Sequence, residues 1–139
     1  MTDRDEPLGY LLQRLGSALR AEVTSTVLEP HGLTFPQYIC MRILARHPGR
    51  SNAELARDAM VSPQAMNMVV RGLQDLGWVT RPATVASGRS RPAELTAAGT
   101  ALLERTTPGI RAAEERVLGP IPDQDRRELR RILAALGQP

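Results

Sequence analysis

Apolar positions recur every three to four residues along most of this 139-residue chain, and turn residues cut that rhythm into about six helices. Leu8, Leu12, Leu15, Leu19 and Val23 share one stripe, widened by Leu11, Ala18 and Val27, with Arg14, Arg20 and Glu22 outside it. The spacing predicts a helix from Leu8 to about Leu28, ended by Pro30 and Gly32. An apolar face this wide, so near a terminus, needs a surface to cover it. Thr34 and Gln37 form a capping box, in which the hydroxyl accepts from a first-turn N–H and the Gln side chain reaches back to the cap. The helix they open runs to about Ala45, with Pro36 tolerated in its first turn. Phe35, Tyr38, Ile39, Cys40, Met41, Ile43 and Leu44 make it apolar nearly all round, as expected of a buried central helix.

Ser51 and Glu54 repeat the capping box ahead of a short helix whose expected apolar stripe is Leu55, Ala56 and Met60. Val61 breaks that pattern, and Ser62-Pro63 restarts it with an N-cap and a first-turn proline. Met66, Val69, Val70 and Leu73 then point inward as far as about Leu76, leaving Gln64, Ala65, Asn67, Met68 and Arg71 outward. Gly77 is free to take the left-handed conformation that closes the helix. Trp78 to Arg81 reads as a strand, Ser87-Gly88 as a turn between arginines, and Ala93-Glu94-Leu95 as the return strand. Thr96 caps a long helix toward Leu118 with Leu102, Leu103, Ile110, Ala113 and Val117 on its face. Pro108-Gly109 in its middle predicts a kink or break near Thr106-Thr107, since an interior proline costs ~3 kcal/mol. After the connector Gly119 to Pro122, Asp123 opens a last helix with Leu129, Ile132, Leu133 and Leu136 on one face. Asp123 and Asp125 lie early in it and Arg130 and Arg131 late, which suits the helix dipole.

Helix, tight turn and helix with amides and an arginine outside is the sequence form of a helix-turn-helix. Gln and Asn can pair with adenine at two points, and Arg can fork onto guanine. Met68 is either an apolar contact to a thymine methyl or a core residue. The hairpin after it, with Arg89 and Arg91 at its tip, has the form of a wing lying over a minor groove or against phosphates. The fold class expected is therefore mainly α with a small β-hairpin wing.

Charge sharpens this picture. All 18 basic residues are arginine, and the net charge is only +3. From Arg46 to Arg91, however, seven arginines face three acids, while the remainder has eleven against twelve. The positive charge lies over the helix-turn-helix and hairpin, where Arg46, Arg50, Arg81 and Arg91 would meet phosphates. Aromatic residues make up 3%, so the core must be aliphatic. Cys40 is the sole cysteine and sits on the buried helix, which suits an inert core thiol and rules out a disulfide framework within one chain. His31 and His47 are the only histidines, so a metal site, a cofactor and a catalytic constellation all lack support. No signal peptide and no apolar run near the ~20 residues of a membrane span is present, which points to the cytoplasm.

The order of four short pieces resembles the MarR family of bacterial transcriptional regulators. Leu33-Thr34-Phe35-Pro36-Gln37 is similar to the family's L-T-x-x-Q, and Leu73 to Arg81 to its L-x-x-x-G-aromatic/aliphatic-V-x-R. Ser87-Gly88-Arg89-Ser90 resembles the wing pattern D-x-R-[AS], with Ser87 where the family has Asp, and Leu95 to Gly99 resembles L-T-x-x-G. The resemblance implies a homodimer on double-stranded DNA: residues 1–33 an N-terminal dimerisation helix, 34–95 the winged helix-turn-helix, and 96–139 the C-terminal dimerisation helices. It places Ser62, Gln64, Ala65, Asn67, Met68 and Arg71 at the major groove, Arg89 in the minor groove, and Arg81 and Arg91 near the backbone. It further implies repression relieved by a small aromatic or phenolic effector, for which Arg14, His31, Tyr38 and Met41 are the candidates. Two alternatives stand beside it: a winged helix used for protein contacts, and a redox-sensing regulator using Cys40.

Overall fold

The computed structural model describes residues 5–82 and 92–137. Six helices and one hairpin follow in the order α1 (Leu8–Val23), α2 (Phe35–Arg46), α3 (Asn52–Asp58), α4 (Pro63–Asp75), β1 (Val79–Thr80), β2 (Glu94–Leu95), α5 (Ala97–Leu118) and α6 (Asp123–Leu136). A π-helical turn over Thr24–Leu28 and a 3-10 turn over Glu29–His31 carry α1 on to Gly32. The strands pair antiparallel, Val79 with Leu95 and Thr80 with Glu94. This is the mainly α winged helix-turn-helix that the sequence leads one to expect. The expected wing tip, with Ser87, Gly88, Arg89, Ser90 and Arg91, lies outside the described residues.

Local hydrogen bonds set the helix starts. Thr34 Oγ1 accepts from Gln37 N at 3.2 Å while Thr34 N donates to Gln37 Oε1 at 2.9 Å. Ser51 and Glu54 repeat the exchange at 3.1 and 3.0 Å. Both boxes satisfy first-turn donors that would otherwise be orphaned. Ser62 caps α4 by accepting from Ala65 N at 3.0 Å. Thr96 caps α5 and also donates its hydroxyl to the Gly77 carbonyl at 2.8 Å, which ties the base of the hairpin to the end of α4. At Gly99 a Cβ would lie 2.1 Å from the Trp78 carbonyl oxygen, so only glycine lets α5 start this close to the hairpin.

The core is aliphatic, as the composition requires. Leu28, Met41, Leu55, Met66, Val70, Leu73 and Leu102 are essentially inaccessible, and Cys40 lies among them. Three expectations need correction. Met60 does not join the stripe of α3: it is 92% exposed, with φ at 59°. The helix ends at Asp58, and Met60 N donates to Arg57 O while Val61 N donates to Ala56 O. That is a Schellman closure, whose left-handed position is filled by Met60 instead of glycine, and it turns the side chain outward. Val61 instead packs against the core.

Of the kink or break expected near Pro108, the break does not occur: α5 runs continuously from Ala97 to Leu118. The proline is exposed, so water can take the carbonyl it leaves without a donor. The hydroxyls of Thr106 and Thr107 both donate to Leu103 O, at 2.7 and 3.1 Å. Gly109 beside it meets Val27, with a Cβ there 3.1 Å from Val27 Cγ2, so the Pro-Gly pair serves the close crossing of α5 and the π-helical turn. The third correction concerns Arg50, which does not stand free for phosphate. It pairs with Glu54 at 3.0 Å and reaches Asp58 at 3.4 Å, bracing α3.

Candidate nucleic-acid interface and effector cavity

The interface is built on α4. Its inward residues Met66, Val70 and Leu73 are buried, and helical geometry therefore turns Gln64, Asn67, Met68 and Arg71 out, where all four are exposed. Ala65 is half-buried. Ser62 holds the helix start as its cap. Met68 is not a core residue, at 75% exposed. α3 crosses behind α4, and the Asn52 amide donates to the Pro63 carbonyl at 3.4 Å, fixing the turn between them. Two amides and one guanidinium on one ridge can meet adenine and guanine edges in a major groove. Arg81 follows β1 and is half-buried. Arg46 and Arg57 are exposed on the neighbouring helices. Arg89 and Arg91 lie outside the described residues.

The capping scaffold favours the ionised form of Glu54. The Ser51 N–H and the Arg50 side chain hold its carboxyl below the usual range. Cys40 is wholly buried, and burial pushes its thiol up to about 11, with the Arg81 charge offsetting part of the rise. A thiol held protonated and out of solvent is a poor nucleophile, so Cys40 has the character of a packing residue and not of a redox sensor.

A second feature lies on the other side of α2. A largely apolar cavity of about 310 Å³ opens between α1, α2 and α5, lined by Leu19, Val23, Phe35, Tyr38, Ile39 and Ile110, with Glu114 also at its wall. Gly16 leaves room at its edge: a Cβ there would meet nothing within 4 Å. Arg20 stands at the same cavity with its guanidinium 5.0 Å from the Phe35 ring centre, a cation–π contact. Tyr38 also borders a wider cleft of about 580 Å³ toward α6, beside Arg42 and Glu114. Burial raises the Tyr38 phenol above its ordinary range, so it stays a hydrogen-bond donor.

Of the four effector candidates named from sequence, Tyr38 lines both cavities. Met41 is fully buried and lines neither. Arg14 stacks over Tyr10, and His31 ends the 3-10 turn, so both also lie off the cavities of one chain. Sequence reasoning missed Gly16, Arg20, Phe35 and Ile39 as cavity residues. No local signal marks them, because the cavity arises where α1 crosses the start of α2.

Known proteins resemble this chain in sequence and fold. A sequence model of the MarR family matches residues 31–90. The chain is 55% identical over 133 residues to the HTH-type transcriptional repressor Rv2887 of Mycobacterium tuberculosis, covering 96% of this chain and 95% of that protein. The crystal structure of that M. tuberculosis MarR family protein in complex with salicylic acid superposes with a TM-score of 0.80 at 54% identity, over 95% of this chain and 97% of the other. Its complex with DNA gives 0.80 at 49% identity, over 96% and 100%.

Proposed function

Because the chain belongs to the MarR family, we propose that it is a ligand-responsive transcriptional repressor that binds a pseudo-palindromic duplex site as a homodimer. The observation that carries this reading is the exposed ridge of α4, where Gln64, Asn67, Met68 and Arg71 stand opposite a fully buried face. Ser62 and Ala65 lie at the start of that helix, near the phosphates and the groove edge. Arg81 and Arg91 lie toward the backbone, and Arg89 enters the minor groove. Two such lobes on one dimer reach half-sites about one helical turn, ~10 bp, apart. The repressor role and the complex with DNA of the M. tuberculosis relative support this reading.

Residues 1–33 and 96–139 supply the dimer contact. Leu8, Tyr10 and Leu12 of α1 and Ile132, Leu133 and Leu136 of α6 are exposed in a single chain. Uncovered apolar side chains in the first and last helices of the sequence suit a twofold embrace.

The effector is a small aromatic acid, as the salicylic acid complex of the relative suggests. It occupies the cavity of Phe35, Tyr38 and Ile39, with Arg20 as the cation for its carboxylate. Arg14 and His31 reach it only where a second copy completes the site, and Met41 acts on it only through packing. Occupancy favours a lobe spacing that no longer matches the half-sites, a population shift and not a new fold.

The test is binding to duplex DNA from upstream of its own gene, across a salt series with non-specific competitor. The expected result is tight binding that survives competitor and falls steeply with salt. Salicylate should release the wild type but not Gly16→Leu, whose side chain fills the cavity. Binding abolished by competitor on every genomic fragment would overturn the regulator reading, and equal release of both proteins would overturn the cavity assignment.

A further inference from the structure

The outward ridge of α4 holds one side chain that hydrogen bonding to base edges does not use. Met68 is 75% exposed, whereas Met66 and Val70 on either side of it are 0% and 1% exposed. It stands four residues after Gln64 and three before Arg71, so the three share one face of the helix. A single exposed apolar residue is ordinary on a protein surface. This one, however, lies in the second turn of the helix that enters the groove, between the amide and the guanidinium that would read bases. A thioether donates no hydrogen bond and accepts only weakly. The apolar feature of the major groove is the C5 methyl of thymine, and hydrophobic side chains read it by contact. An unbranched, polarizable chain with three rotatable bonds can settle on that methyl without a fixed geometry.

Resting on the DNA-binding reading above, we propose that Met68 is a specificity-determining residue that reads the C5 methyl of one thymine in each half-site, next to the bases met by Gln64 and Arg71. The contact reports a methyl group and no hydrogen-bonding atom. It therefore distinguishes thymine from uracil, which present the same polar edge.

The experiment uses the full-length protein and an operator selected from genomic fragments. Each thymine is replaced in turn by deoxyuridine, which removes one methyl and leaves every hydrogen-bonding group. For the wild type, one position per half-site should weaken binding about fourfold, the worth of one buried methyl. Met68→Ala should bind more weakly and lose sensitivity at that position alone, while Met68→Leu should keep most of it. Both changes lie on the surface, so unaltered thermal unfolding is the control for fold. A wild type indifferent to every deoxyuridine, or a Met68→Ala protein still sensitive at the same position, would overturn the role of Met68 while leaving specific binding intact. Failure of the wild type to select any operator would overturn both readings together.

Discussion

Between residues 34 and 95 the inward stripes meet partners in the same chain: Leu55, Met66 and Leu73 are 0–1% exposed. None of the described residues of α6 is buried, and Leu136 and, at the start of α1, Leu8 are 75% and 70% exposed. α6 is held to its own chain by polar contacts instead. Arg130 pairs with Glu114 at 2.9 Å, and Arg126 donates to the Ile121 carbonyl at 3.1 Å. The two regions have similar apolar patterning along the sequence yet opposite fates in a single chain. An amphipathic stripe states how much surface must be covered, but not whether the cover is intramolecular. Here the stripes of the lobe that would meet DNA are covered within one chain, by Val27, Leu28, Leu102 and Leu103 among others, while the start of α1 and all of α6 leave apolar side chains uncovered.

The contrast can be broken first in the lobe. Leu73→Ala removes a wholly buried side chain, and should cost ~2–5 kcal/mol in denaturant unfolding without changing the association state of the protein that remains folded. Ile132→Asp does the reverse. It should leave the helical spectrum of the lobe unchanged and weaken dimerisation by about 1.5–3 kcal/mol per copy, read by sedimentation. An Ile132→Asp protein that stays dimeric would move the interface elsewhere.

Ser51→Ala should cost about 1 kcal/mol through loss of one half of the capping box. Glu54→Gln, which removes the titrating half of the box, should blunt the acid sensitivity of the lobe. Glu54 has a lowered pKa in the folded state, so its contribution is present above its unfolded pKa and disappears as pH falls through the folded value. Thermal melts from neutral to acid pH should converge for wild type and Glu54→Gln at the acid end, while the offset of Ser51→Ala, a cap between uncharged groups, persists. The smallest effect is Met60→Gly, which relieves a left-handed residue but frees the unfolded chain. A net stabilisation of up to about 1 kcal/mol is expected from thermal melts, with no change in DNA affinity.

What was legible in the sequence follows the same division. The two capping boxes could be read because their partners lie three residues apart and need nothing from the rest of the fold. The two faces of α4 could be read because Met66, Val70 and Leu73 fix its orientation, and Thr96 because its position ends the hairpin. Met60 misled because its apolar side chain fits the helical period, while the backbone had already reversed into a conformation usually left to glycine. The break expected at Pro108 does not occur: its exposure lets water reach the freed carbonyl, which lessens one part of the cost of an interior proline, and that exposure is a tertiary fact. The pairing of Arg50 with Asp58 and the cation–π contact of Arg20 with Phe35 depend on how helices cross, which no local pattern encodes. The wing residues Arg89 and Arg91 rest on sequence pattern and family likeness.

The most direct test is the light-scattering mass of the protein bound to one operator duplex. Two chains per duplex, falling to weak single-chain binding in Ile132→Asp, is the result expected if the terminal helices are covered by a second copy. One wild-type chain per duplex at full affinity would contradict it and leave the apolar faces of α1 and α6 in need of a different partner.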